Sequence, residues 1–211
     1  MPYTKDKQHT MKLNNRKSIR LKGYDYTSVG RYFVTIVTRN RVHLFGKIVN
    51  GEMQQNEFGE IAAQEWKNTV QIRENISLGG YMIMPDHIHF VVHIDEQQEQ
   101  KIYSAEEMKR RAGALEGKHI NKSGSLGAVV RGYKGAVTRQ VLDGVATYEN
   151  IEDGELNSLC KQLKTEKTIW LRNYNEAIIK TQQHYDNVTA YIKNNPKKWE
   201  ENLKKKLALD S

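Results

Sequence analysis

The sequence contains very little cysteine, and this scarcity already excludes several classes of protein. Its 211 residues include one cysteine, Cys160, so the chain can form no internal disulfide and no metal site built from clustered cysteines. No apolar stretch approaches the roughly 20 residues that a membrane-spanning helix needs. Residues 1–20 are polar and basic and lack the apolar segment of a secretory signal. We therefore expect a cytoplasmic protein with no membrane partner.

Positive charge is what the chain has in excess. Lysine and arginine number 33 against 25 acidic residues, giving a net charge of +8 and a pI near 9.4. This balance favours a polyanionic partner such as nucleic acid. The length suits one main domain, which we place at 24–199. It is preceded by a basic arm at 1–23, either disordered or in contact with a nucleic-acid backbone, and followed by a charged tail at 200–211.

Strand and helix patterns alternate along the chain. The patterns predict strands at 31–38, 76–84 and 87–94, a hairpin over 47–58, helices at 60–73, 126–142 and 181–195, and an extended segment within 168–179. Thr181 is expected to cap the last helix and Pro196 to end it. The interval 143–167 is expected to be a variable excursion. This order predicts an α+β fold, with a ferredoxin-like antiparallel sheet and helices packed mainly on one face.

The most informative stretch is the predicted strand at 87–94, which contains three histidines. Side chains alternate between the two faces of a strand, so His87, His89 and His93 share the face opposite a continuous apolar row. His87 and His89 are close enough to converge on one ion, whereas His93 lies farther along and is expected to contact another group. The pair alone is also compatible with ordinary polar residues on the wet face of a sheet.

A second motif occurs about a hundred residues later, in the predicted helix that ends before Pro196. Tyr191 and Asn195 are four residues apart and therefore project from the same side of a helix. The amide oxygen of Asn195 is a hard ligand of the kind that suits Mg²⁺ or Mn²⁺. Without further information, Tyr191 could equally cover the edge of the core and Asn195 could simply end the helix.

Taken together, these motifs resemble one family. The segments YMIMPDHIHFVV (81–92) and YIKNNPKKW (191–199) resemble the REP-associated tyrosine transposases, in the IS200-like superfamily of single-tyrosine nucleases with a His-hydrophobic-His element. Weaker likenesses lie in GYDY (23–26) with RYFVT (31–35), in SLGAVVRGYK (125–134) and in IWLRNYNEAII (169–179). The resemblance therefore extends over most of the chain, from about residue 23 to residue 199.

The resemblance implies a DNA transposase that cleaves and rejoins single-stranded or hairpin DNA. Tyr191 would be the nucleophile and would form a 5′-phosphotyrosine link, with a free 3′-hydroxyl as the other product. His87, His89 and Asn195 would hold Mg²⁺ or Mn²⁺. No nucleotide cofactor is needed, because the covalent link preserves the phosphoester. The tyrosine could serve its own histidine pair or that of a second subunit, so a monomer and a homodimer are both compatible with the sequence.

Four basic side chains are candidates for phosphate contacts with the DNA: Arg131, Lys134, Arg139 and Arg172. They could equally form a solvated basic surface.

Three other functions fit parts of the sequence. A non-catalytic nucleic-acid-binding module would explain the charge and the fold, but not the coincidence of the two histidines with Tyr191 and Asn195. A barrel hydrolase with a His-x-His pair needs about 250 residues for the barrel alone, and this chain of 211 residues is too short for it. A replication or mobilisation initiator shares the chemistry but usually places the tyrosine differently and adds domains.

Overall fold

A computed structural model describes residues 21, 23–95, 124–147 and 154–209. The predicted basic arm therefore lies almost entirely outside the described residues, as do the last two residues of the predicted tail. The strands are β1 (Gly30–Val37), β2 (Gly46–Val49), β3 (Glu52–Gln55), β4 (Ile76–Ile83), β5 (His87–Ile94) and β6 (Asn175–Ile179). The helices are α1 (Glu57–Asn68), α2 (Leu126–Thr147), α3 (Gly154–Glu166) and α4 (Gln182–Leu209), with a short 3-10 turn at Arg39–Arg41.

The central sheet has four strands in the order β4-β5-β1-β6, and every neighbouring pair is antiparallel. This order is that of a ferredoxin-like fold, so the predicted fold class is confirmed. The strands β2 and β3 form a separate hairpin. Its turn residues Asn50 and Gly51 both have positive φ, at 53° and 75°, as the Asn-Gly signal predicts for a type I′ turn.

One face of the sheet is sealed by aromatic packing. Phe90 of β5 stacks on Trp66 of α1, with ring centroids 4.0 Å apart, and Tyr133 of α2 meets both rings edge-on at 5.8 Å. The Tyr133 hydroxyl donates to the backbone carbonyl of Ala62, so this buried polar atom is satisfied. We call this side the core face.

The opposite side of the sheet, which we call the site face, is covered by α4. Val188 and Ile192 of α4 pack on Val91 of β5 and Ile179 of β6. The hydroxyl of Thr181 accepts a hydrogen bond from the His184 amide at 3.1 Å, which confirms the predicted N-cap.

The predicted end of the last helix is wrong. Pro196 lies inside α4, which continues without a break to Leu209. An interior proline loses one backbone hydrogen bond and costs about 3 kcal/mol. Packing beyond it offsets this cost, because Trp199 lies against His43 and His87. Residues 200–209 of the predicted tail therefore belong to this helix.

Several other boundaries differ from expectation. The helix α1 begins three residues earlier than predicted, because Asn56 caps it by accepting from the Gly59 amide at 3.0 Å, and it ends at Asn68, which leaves Ile72 exposed. The expected excursion at 143–167 contains the end of α2 and the whole of α3. Cys160 and Leu163 of α3 are buried in the core.

Candidate active site

The candidate site is built on β5 at its border with β1. The alternation of β5 is as predicted: Ile88 and Phe90 enter the core face, and His87 and His89 project from the site face. His89 lies directly opposite Thr35 of β1, and His87 lies opposite Val37. Both histidine side chains are buried, which fixes their position more tightly than a wet surface would.

Each imidazole is held through its outer nitrogen. Nδ1 of His87 is 2.5 Å from a carboxylate oxygen of Asp86, so the ring donates its proton there. Nδ1 of His89 is 2.9 Å from the hydroxyl of Thr35. The other carboxylate oxygen of Asp86 accepts from the guanidinium of Arg41 at 3.1 Å. Burial opposes ionisation of Asp86, but its bonds to His87 and Arg41 outweigh burial and leave its pKa below the ordinary value.

The inner nitrogens of the two rings converge. Nε2 of His87 and Nε2 of His89 are 3.0 Å apart. Two lone pairs at this distance repel each other unless a proton or a cation lies between them. Burial, followed by the effect of neighbouring His87, lowers the pKa of His89 to about 3, so its imidazole is neutral near pH 7. A neutral imidazole with a free inner nitrogen is the form that binds metals.

Asn195 completes this group from α4. Its Nδ2 is 3.3 Å from Nε2 of His89, and the side chain is buried. Half a turn about the last side-chain bond places the amide oxygen where the nitrogen now lies. Asn195 can therefore donate to the imidazole or offer an oxygen ligand at the same point.

Tyr191 lies beside the histidines of its own chain. Its ring centroid is 5.2 Å from that of His89 and 6.0 Å from that of Phe33, both nearly edge-on. The side chain is 41% exposed, unlike the buried residues around it. A hydroxyl on a ring that is held on two sides and open on another can be reached by a substrate from solvent.

His93 does not join the pair, as its spacing predicted. Its ring lies 5.7 Å from Tyr185 of α4, and the Arg31 guanidinium lies 4.9 Å from the same tyrosine ring. Burial, followed by the positive charge of Arg31, lowers the pKa of His93. This second cluster belongs to the packing of α4 on the sheet.

The four predicted DNA contacts are not gathered around Tyr191. Arg131 and Arg139 are exposed on α2, which packs on the core face, and Arg172 is exposed after the bridge between Thr38 and Trp170. Lys134 donates to the carbonyls of Leu171 and Arg172 at 2.6 Å and 3.2 Å, and burial lowers its pKa to about 8. Its ammonium group thus already has backbone partners.

Residue patterns did not point to several other members of the site. Asp86 stands next to His87 in the sequence, and this adjacency was the one signal available for its role. Thr35 reaches His89 through strand pairing, and Trp199 reaches His87 through a helix that continues past proline. Arg41 reaches Asp86 from a turn. Lys198 lies over the Tyr191 ring, with its ammonium nitrogen 5.7 Å from the ring centroid.

The donor set fits one divalent ion. Two nitrogen ligands at about 2.1 Å from an ion and at a right angle to each other lie about 3.0 Å apart, which is the separation of the two Nε2 atoms. Across the described residues there is no group of three or more His, Cys, Asp or Glu side chains suited to an ion. Among the described residues, the candidate for a third protein ligand is the Asn195 amide oxygen, since Asp86 faces the outer side of His87.

Comparison with known proteins supports the fold and places the chain in a family. A solved REP-associated tyrosine transposase bound to a REP hairpin matches with a TM-score of 0.51 and 15% identity, over 85% of this chain and 74% of that one. A predicted transposase from Deinococcus radiodurans matches with a TM-score of 0.35 and 15% identity, over 83% of this chain and 95% of that one, too weak a likeness to support an argument. No family model matches. The chain thus has the fold of a REP-associated tyrosine transposase.

A relative that is similar in sequence shows the family of the chain. An uncharacterised protein of Haemophilus influenzae is 33% identical over 189 residues, which is 90% of this chain and 92% of the relative. The chain belongs to the same family as this Haemophilus protein. Along the described ranges, no helix is both long and apolar enough to cross a membrane.

Proposed function

We propose that this protein is a DNA transposase that cleaves and rejoins single-stranded DNA through a covalent tyrosine intermediate. One observation carries the proposal: the free nitrogens of His87 and His89 converge at 3.0 Å beside Tyr191 of the same chain. The match to a transposase that is bound to a REP hairpin supports hairpin-forming repeats as the substrate. A tyrosine that lies beside its own histidine pair suits a monomer that acts in cis.

The chemistry assigned to this chain is a transesterification. The Tyr191 hydroxyl loses its proton to water and its oxygen bonds to phosphorus, while the bond from phosphorus to the 3′ oxygen breaks. The departing oxygen takes up a proton, so the products are a 5′-phosphotyrosine and a free 3′-hydroxyl. The number of phosphoester bonds is unchanged, and a second 3′-hydroxyl can therefore reverse the step without an energy source.

Mg²⁺ or Mn²⁺ is the proposed cofactor. His87, His89 and Asn195 would hold it, and when bound it would polarise the phosphodiester and stabilise its developing charge. Asp86 and Thr35 keep the two rings turned so that the inner nitrogens remain available. Phe33 and His89 hold the Tyr191 ring, which limits the orientations from which its oxygen can attack.

Covalent trapping tests the proposal. The protein is incubated with Mn²⁺ and end-labelled hairpin DNA from repeats that flank its gene, and denaturing gels show any protein–DNA adduct. We expect an adduct with the natural protein and none with Tyr191→Phe, which keeps the ring and removes the nucleophile. An adduct that survives this change would mean that another residue attacks. Tight DNA binding that needs no metal and gives no adduct would favour the non-catalytic module.

A further inference from the structure

A lysine stands on the same side of α4 as Tyr191 and Asn195. At 100° per residue, seven residues complete two turns less about 20°, so Lys198 projects almost directly below Tyr191 on the helix. Its ammonium nitrogen is 5.7 Å from the centre of the Tyr191 ring. The chain therefore places a positive charge next to the proposed nucleophile, on the same rigid element.

Among the described residues, the charge of Lys198 is not paired with a carboxylate. Its side chain is exposed, and the ion pairs among the described residues are those of Arg41 and His87 with Asp86 and of Lys204 with Glu200. Lys134 differs in this respect, because two backbone carbonyls already accept from its ammonium group. An exposed cation beside a partly exposed tyrosine suits an anionic ligand that arrives from solvent.

Lys197 shows that the arrangement is not a general property of this lysine-rich helix. It lies about 240° around the helix from Tyr191, and its side chain runs along the turn between β2 and β3. A Cβ atom built on Gly51 would lie 3.1 Å from Cγ of Lys197. The two neighbouring lysines therefore have the same charge but contact different parts of the protein.

We propose that Lys198 is a further catalytic residue, whose ammonium group contacts a non-bridging oxygen of the phosphate that Tyr191 attacks. The inference rests on the proposed function. Lys198 remains protonated and exchanges no atom in the step; it stabilises the negative charge that grows on the phosphate oxygens as the tyrosine oxygen approaches. The ion would act from the histidine side of the site and Lys198 from the outer side of the tyrosine ring.

The first test compares two matched substitutions in the trapping assay. Lys198→Met should slow single-turnover adduct formation by about 10²- to 10³-fold, the range seen when one donor to a developing oxyanion is removed. Lys197→Met removes the same charge one residue away and should change the rate less than about threefold. Lys198→Arg, which keeps the charge, should recover most of the rate. Equal rates for Lys198→Met and Lys197→Met would overturn the proposal.

The second test needs no cleavage. In the Tyr191→Phe background, hairpin DNAs with one methylphosphonate at successive positions of the single-stranded flank are bound with and without Lys198→Met. At one position, neutralising the phosphate should weaken binding at least fivefold when Lys198 is present and leave it unchanged when Lys198 is absent. No such coupling at any position would overturn the role of Lys198. Coupling here, together with no adduct from the natural protein in the trapping assay, would support the contact and contradict the transposase function.

Discussion

Phe90 and His89 are neighbours on β5, yet they lie in two environments that share little except the backbone between them. On the core face, Phe90 stacks on Trp66 of one helix and meets Tyr133 of another edge-on. On the site face, His89 is equally buried, but it meets a hydroxyl, a second imidazole and an amide. The core face fixes the strand, and the site face uses that rigidity to hold polar groups at distances they would not keep in water.

The difference shows which kind of burial stabilises the protein and which kind costs free energy. Removing apolar rings from water is favourable in proportion to their area. Burying imidazole rings and a carboxylate is unfavourable unless each finds partners. The partners are present on the site face, but they compensate for burial rather than add to stability. The comparison predicts that equal substitutions on the two faces have unequal effects.

The largest effect is expected at Phe90. Replacement by alanine removes a fully buried ring and should lower the free energy of unfolding by about 3–5 kcal/mol. The matched change on the other face, Phe33→Ala, removes a half-buried ring and should cost less than half as much. Urea unfolding followed by circular dichroism measures both. If Phe33→Ala costs as much as Phe90→Ala, the proposed division between the faces is wrong.

A smaller effect is expected at Asp86. Asp86→Asn keeps the shape but leaves the Arg41 guanidinium facing an amide, and it should cost about 1–3 kcal/mol of unfolding free energy. We also expect Mn²⁺ affinity, measured by calorimetry, to fall about 10- to 100-fold, because His87 loses the group that orients it. Unchanged Mn²⁺ affinity would show that the orientation of His87 does not depend on this carboxylate.

Ionisation of the same carboxylate should make the free energy of unfolding fall as the pH is lowered. The pKa of Asp86 in the folded protein is lower than its ordinary value of 3.8. Its stabilising contribution is therefore complete above that ordinary value and is lost as pH falls below it, through the folded pKa. Between pH 5 and pH 2, Asp86→Asn should lose less unfolding free energy than the natural protein. Parallel acid profiles for the two proteins would contradict this expectation.

A still smaller change in stability is expected at His89, with a large change in function. His89→Gln loses the imidazole's hydrogen bonds to Thr35 and Asn195 but keeps a polar amide at the position, and it relieves the crowding of two ring nitrogens, so we expect a change of about 1 kcal/mol or less. Binding of Mn²⁺ and formation of the DNA adduct should both disappear. A variant that unfolds easily would instead assign His89 to the architecture of the sheet.

The smallest effect is expected at Arg172, which is exposed just after the bridge between Thr38 and Trp170. If this side chain contacts a phosphate of the hairpin, Arg172→Gln should reduce the slope of log affinity against log salt concentration by about 1 and weaken all sequences alike. Arg131→Gln and Arg139→Gln test the core-face side of the molecule in the same way. Salt titrations of DNA binding, followed by fluorescence anisotropy, distinguish the effects of the three substitutions. An unchanged slope would leave that arginine on a solvated surface.

The β5 half of the site was predictable because it depends on local rules. Alternation along a strand assigns His87 and His89 to one face, and helical periodicity brings Tyr191 and Asn195 together. Contacts between elements that are distant in the sequence were not predictable in the same way. Thr35 reaches His89 through the register of β1 and β5. Arg41 reaches Asp86 from a turn in which its own φ is 52°, a conformation that sequence propensity disfavours.

The prediction that Pro196 ends α4 was wrong for a related reason. A proline normally ends a helix because it removes a hydrogen bond, and this local rule ignores what lies beyond it. Here the residues beyond Pro196 include Trp199, which packs on His87 and His43. The helix α3 was missed because the acidic, Gly- and Asn-containing residues of 143–167 indicated a variable excursion, although Leu156, Leu159, Cys160 and Leu163 have helical spacing. Cys160 and Leu163 dock it in the core.

The position of Trp199 makes it an intrinsic fluorescence probe of the candidate site. Of the three tryptophans, Trp66 and Trp170 are only 1% and 6% exposed, whereas Trp199 is half-buried and lies 5.6 Å from His87. Emission from the first two is shielded inside the protein, so a quencher in solution meets mainly the third. Paramagnetic Mn²⁺ at the histidines would quench that emission and diamagnetic Mg²⁺ would not, so Mn²⁺ binding could be followed directly in unlabelled protein and Mg²⁺ binding by its displacement of Mn²⁺.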